Sequence, residues 1–234
     1  MLASSNWRRP ICFTSPHGEI GFGPYLRETG LIYQVVPVLV NSANAQSLGM
    51  DVDKSKDLLM NQFRGGNANK PGVYFDEENR RHLLSIRATY AQAASSLAMQ
   101  GRKQEAVALL DRAESLIHPE ALPYAMVSRD NGHNRTSMAY LEAAYQAGHT
   151  ALIKKLKDAL TKDFNDQLNY YKYLREKRPE YYNGDLMDDE KFCKYALEQK
   201  LPELEKQYNP AAVNVTEHPA QRADSTKPKD SSKK

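Results

Sequence analysis

Hydrophobic positions change their period near residue 50. Before it, "PICFTS" (Pro10–Ser15) and "LIYQVVPVLV" (Leu31–Val40) are short runs rich in β-branched and aromatic residues, bounded or interrupted by Gly and Pro. Such runs read as strands. Pro37 has no backbone N–H to give a ladder, so it places the second strand at a sheet edge or breaks it there. Between the two, "PHGEIGFGPYLRETG" is a glycine-rich connection with room for one helical turn.

After residue 50 the apolar positions step by three or four, the spacing of one helix face. "DKSKDLLMNQFRGG" predicts a helix capped at Asp53 or Ser55 and stopped at Gly65. Asp76 precedes a longer one, with Leu83, Ile86, Tyr90, Ala94 and Leu97 along its stripe. Ala106, Leu109, Leu110, Ala113, Leu116 and Ile117 mark a third, closed by His118-Pro119. "NRTSMAYLEAAYQAG" ends at Gly148, and a long helix from Thr150 to Arg178 aligns Leu152, Leu156, Leu160, Phe164, Leu168, Tyr171 and Leu174. "DDEKFCKYALEQKLPELEKQY" is a final helix, expected to kink or break near Pro202. The pattern predicts a mainly α fold in three parts. Residues 1–50 form a strand and loop segment packing on the helices, 51–208 a helical domain, and 209–234 a polar tail expected to be disordered.

Composition narrows the function classes. The chain has 234 residues, 41% hydrophobic and 26% charged, enough for a packed core. Its net charge is +3, but the tail holds Arg222, Lys227, Lys229, Lys233 and Lys234 against Glu217, Asp224 and Asp230, leaving about +1 on the body. No concentrated basic face is visible, so no nucleic-acid partner is expected. Cys12 and Cys193 fit no metal spacing. Both a disulfide and two buried free thiols are open, and free thiols are the expectation. The longest mostly apolar run is Leu31–Val40, far short of the roughly 20 residues a spanning helix needs. Arg8 and Arg9 interrupt the place of a signal-peptide core, so no export signal is expected in the chain as written.

The small residues carry a repeat signal. Ala94, Gly101, Ala106 and Ala113 are spaced as two antiparallel helices require where their backbones approach across a tight turn. The spacing, with Pro119 closing the second helix one residue late, resembles the tetratricopeptide repeat. The next pair fits loosely, with Gly148 at the turn but Ile153 and Leu160 where small residues would fall. An ordinary helical hairpin that uses alanines is the alternative. Stacked repeats present surfaces to partners.

Candidate chemistry is sparse, and no catalytic, cofactor or metal set is expected. "GEIGFG" lacks the following helix that a phosphate loop requires, so its glycines read as turn residues. Trp7, His17, Glu19, Arg27 and Glu28 combine a ring with charged groups suited to a saccharide, although a polar loop explains them as well. Tyr170, Tyr171, Tyr173, Tyr181 and Tyr182 form either a binding patch or the rim of a helical bundle. His133 reads as a loop residue without a ligand partner, and Asn134-Arg135-Thr136 and Asn214-Val215-Thr216 are sequons only in a eukaryotic secretory setting.

Four blocks in order, "NWRRPICFTS", "GLIYQVVPV", "DLLMNQFRGG" and "PGVYFDEENRR", resemble the C-terminal soluble region of a bacterial multi-pass membrane family. That family is of unknown function, and its membrane halves resemble protein O-mannosyltransferases. The resemblance spans roughly residues 3–175, and Cys12 stands where the family often has an aromatic residue. It implies that the chain is a fragment tethered on the periplasmic face of the inner membrane, behind a glycosyltransferase half that uses a lipid-linked sugar. No catalytic residue of that half carries over, while Asp224-Ser225-Thr226 is similar to a short bacterial O-glycosylation acceptor motif. The resulting expectation is a non-catalytic accessory domain that positions acceptor proteins or partner subunits. A saccharide-binding domain and a free-standing cytosolic scaffold are the alternatives.

Overall fold

A computed structural model describes residues 8–15, 21–40 and 49–208 of the chain. The predicted change of period is the main architectural boundary. A small antiparallel sheet at the N-terminal end comprises β1 (Cys12–Phe13), β2 (Leu26–Thr29) and β3 (Ile32–Val35), in the order β1-β3-β2. Both predicted strand regions contribute, and β3 ends before Pro37. β2 lies in the stretch read as a connection, just after a helical turn at Gly23–Tyr25. Three of its four residues are polar, so the sequence lacks a strand signature there. Pairing makes it a strand: Leu26 lies opposite Val35 and Glu28 opposite Tyr33. Gly30, at φ +61°, opens the two-residue hairpin loop, where a positive φ matches the twist of the strands.

Helix α1 (Val52–Asp57) is capped by Asp51, whose Oδ1 accepts from the Lys54 N–H at 3.2 Å, rather than by Asp53 or Ser55. Ser55 is buried and its Oγ accepts from the Gly30 N–H at 2.9 Å, tying α1 to the sheet hairpin. The helix widens over Leu58–Gln62 and closes with the Phe63 N–H on the Leu58 carbonyl, before the expected stop at Gly65. The Tyr90 hydroxyl donates to the Leu59 carbonyl at 2.7 Å within this wide turn. Gly65 has a different purpose: a Cβ there would lie 2.5 Å from the Leu116 carbonyl oxygen, so close backbone approach requires glycine.

Four helices build the centre: α2 (Glu77–Met99), α3 (Lys103–Leu116), α4 (Gly132–Ala147) and α5 (Thr150–Lys177). Asp76 caps α2, its Oδ1 accepting from the Asn79 N–H. Leu83, Tyr90, Ala94 and Leu97 are buried as the stripe predicts, while Ile86 is half-buried and Arg87 occupies the core beside it. The five predicted apolar positions on α3 are buried, as is Ile117 just past its end, and on α5 only Leu168 of the stripe is half-buried. α2 and α3 form one hairpin and α4 and α5 another, with α2 packed against α4. Gly101 and Gly148 both adopt φ +79° at the hairpin turns, a left-handed conformation that a Cβ disfavours. Ala94, Ala106 and Ala113 are buried.

α6 (Gly184–Tyr195) packs on α5 and continues through a wide turn at Ala196–Lys200 into α7 (Leu201–Tyr208). Of the kink or break expected near Pro202, the break is absent. The wide turn just before it, with the Leu201 N–H on the Ala196 carbonyl, shifts the backbone register where proline offers no donor. α7 returns to α4, where Tyr208 stacks on Tyr145 with ring centres 6.0 Å apart. Both cysteines are free. Cys193 is buried as expected, but Cys12, on the two-residue edge strand β1, is exposed among the described residues. No helix among the described residues is long and apolar enough to cross a membrane. Trp7, His17, Glu19 and the predicted disordered tail lie outside the described residues.

Candidate functional site

Arg27 and Glu28 are neighbours on β2, and strand geometry sends successive side chains to opposite faces. Glu28 is buried and accepts from the Gln92 amide of α2 at 2.7 Å. Arg27 is half-buried and lines a polar cleft of about 410 Å³ with Met50, Asp51 and Asp53. The two do not converge on one ligand position. Burial pushes the Glu28 carboxyl up to about 7, against the lowering effect of the Gln92 hydrogen bond.

A buried polar cluster organises the connection between α3 and α4. Arg87, 1% exposed, donates to the carbonyls of Leu122 and Pro123 at 2.8 and 2.9 Å. Its guanidinium lies 5.5 Å from the Tyr124 ring centre and 5.7 Å from that of Tyr140. Both tyrosine hydroxyls donate to Glu114. Burial lowers the pKa of Arg87, while Tyr140, Glu114 and Tyr124 act in the opposite direction. His133 is not a loop residue: α4 begins at Gly132, and His133 is buried in its first turn. Its Nε2 lies 2.9 Å from the Pro123 carbonyl, which can only accept, so that nitrogen carries the proton. Burial also lowers the pKa of this imidazole, ahead of the opposing Pro123 hydrogen bond.

The same connection ends in a cleft. Asp130 and Asn131 adopt φ of 53° and 50°, turning the chain sharply into α4. Asn131, Asn134 and Gln167 are buried and share an amide network: Asn131 Nδ2 donates to Gln167 Oε1, and Gln167 Nε2 returns to Asn131 Oδ1, both at 3.0 Å. Asn134 and Gln167 also donate to the Asp163 carboxylate at 2.8 and 2.7 Å. The Tyr171 hydroxyl donates to Gln167 Oε1 at 2.8 Å. Burial, with Cys193 and Asp189 nearby, raises the pKa of Tyr171, and burial pushes the Cys193 thiol up to about 12.

Above this network lies a cleft of about 570 Å³ between the α3–α4 connection, α5 and α6. Gln167 and Tyr171 line it from α5 and Leu186 from α6, together with Val127, Tyr170, the acidic residues Asp130, Asp166, Asp185 and Asp189, and one cation, Arg129. Behind it, the buried Glu190 accepts from Arg175, Lys194 and Tyr182 at 2.7, 2.8 and 2.5 Å, pinning α6 to α5. Burial raises the Glu190 carboxyl, but those partners outweigh it and leave its pKa lowered.

The tyrosine cluster is therefore divided. Tyr171 belongs to the core and Tyr182 to the Glu190 anchor, Tyr170 lines the cleft, and Tyr173 and Tyr181 are exposed. The arrangement suits capture of a cationic group by rings and carboxylates. Among the described residues, no group of three or more His, Cys, Asp or Glu side chains is placed to hold a metal ion. Reasoning from sequence did not find the amide network or the carboxylates around Tyr170, because they come from three segments; the one local signal was the density of tyrosines. Comparison with known protein families, curated proteins and solved structures finds no match for this chain.

Proposed function

We propose that this chain is a non-catalytic interaction domain that positions a protein partner. The observation that carries the proposal is the pair of stacked hairpins, α2/α3 and α4/α5, whose connecting segment is held from beneath and turned outward to a solvent-accessible cleft. Antiparallel helical hairpins with small residues at their approach and glycine at their turns are repeat-like scaffolds, and such scaffolds act by presenting surfaces. The resemblance to the soluble region of O-mannosyltransferase-like membrane proteins supplies a setting: an accessory domain on the periplasmic face, holding acceptor proteins or subunits beside a membrane glycosyltransferase half.

Excision of residues 51–208 from the membrane-tethered parent tests this reading. Acceptor glycosylation or complex assembly is expected to fall while the membrane half remains at its normal level. Unchanged glycosylation and assembly would overturn it.

A further inference from the structure

Aromatic rings near the cleft carry cations from the chain itself. Arg135 lies 3.9 Å from the Phe192 ring centre, Arg178 4.6 Å from that of Tyr181 and Arg175 5.7 Å from that of Tyr182. Tyr170 differs. It is 55% exposed, and its one ring neighbour among the described residues is Tyr171, tilted by 54° at 6.1 Å. No described arginine lies over it. The cleft carboxylates show the same division: Asp166 is paired with Lys162 and Asp130 with the cleft's one cation, Arg129, whereas neither Asp185 nor Asp189 forms an ion pair among the described residues.

We propose that this cleft docks an arginine side chain from an exposed segment of a protein partner. This assignment rests on the interaction-domain reading and names the chemistry of the partner. The guanidinium would lie against the Tyr170 ring and donate hydrogen bonds to Asp185 and Asp189, all three of which line the same cleft. A planar guanidinium satisfies a ring face and carboxylates together; a lysine ammonium is compact, more strongly hydrated and unable to stack. The alkyl stem would pack on the apolar surfaces of Val127 and Leu186. A volume of about 570 Å³ accepts one long side chain and its adjoining backbone. Gln167 and Tyr171 are already locked by the buried amide network, so docking orders little of the receptor.

Titration of the ¹⁵N-labelled chain with acetyl-Gly-Arg-Gly-amide, followed by NMR, tests the assignment. Amides of residues 127–130 and 185–189 are expected to shift and saturate in the millimolar range. The citrulline peptide, similar in shape without the charge, is expected to bind about tenfold more weakly. Tyr170→Ala and Asp189→Asn should each weaken the arginine peptide about fivefold, with distant amides unmoved as the check on folding. An arginine peptide that leaves these amides in place, or binds no better than citrulline, overturns the assignment. So does a manno-oligosaccharide that shifts the same amides more strongly. A silent cleft together with lost glycosylation after excision would refute this assignment while leaving the interaction-domain reading intact.

Discussion

Glu28 joins the sheet to α2 through a carboxyl that folding pushes up to about 7 from 4.5. Between those values the folded chain holds a proton that the unfolded chain has released, so stability falls as pH rises through this window. The loss amounts to about 3 kcal/mol at full ionisation. Glu28→Gln should remove that slope and exceed the parent chain in stability at pH 8, as read from urea unfolding at pH 5 and pH 8. Arg87 behaves oppositely, since its removal strands the buried Leu122 carbonyl, leaves the Pro123 carbonyl to His133 alone and leaves Glu114 without its nearby cation. Arg87→Ala should cost about 2–5 kcal/mol in the same assay. The thiols separate by exposure: Cys12 is open, while burial pushes Cys193 up to about 12. A thiol-specific reagent on the native chain should label Cys12 rapidly and Cys193 only on unfolding, with Cys12→Ser removing the fast phase.

The elements divide into those whose geometry is local and those set by contact. The stripes of α3 and α5 were legible because burial of one face imposes the 3.6-residue period directly on composition. The hairpin turns were legible through Gly101 and Gly148, where φ +79° constrains the residue type. Gly148→Ala meets no atom within 4 Å, so its expected cost of about 1–2 kcal/mol is backbone strain alone, measurable by thermal unfolding. β2 was not legible, because four residues, three of them polar, become a strand only by pairing with β3. The wide turns were hidden for the same reason: Tyr90 reaches the first from a distant helix, and the second lies just before Pro202, where a kink or break was expected. The cleft was half legible. Helix phase put Tyr171 in the core, but no local pattern could join Tyr170 to Asp185 and Asp189 across a loop and two helices.

At the scale of the molecule, a near-neutral body carries an acidic, tyrosine-lined cleft at one end of two stacked hairpins. A partner held there by charge should dissociate more readily as ionic strength rises through the physiological range. The same architecture makes the isolated chain a competitor. Purified chain, added in increasing excess to membranes containing the proposed glycosyltransferase parent and its acceptor proteins, offers partners a second docking surface. The account predicts a dose-dependent fall in sugar transfer, weakened by Tyr170→Ala. Transfer that is unchanged by the chain, or increased by it, would contradict the claim that this fold works by holding a partner.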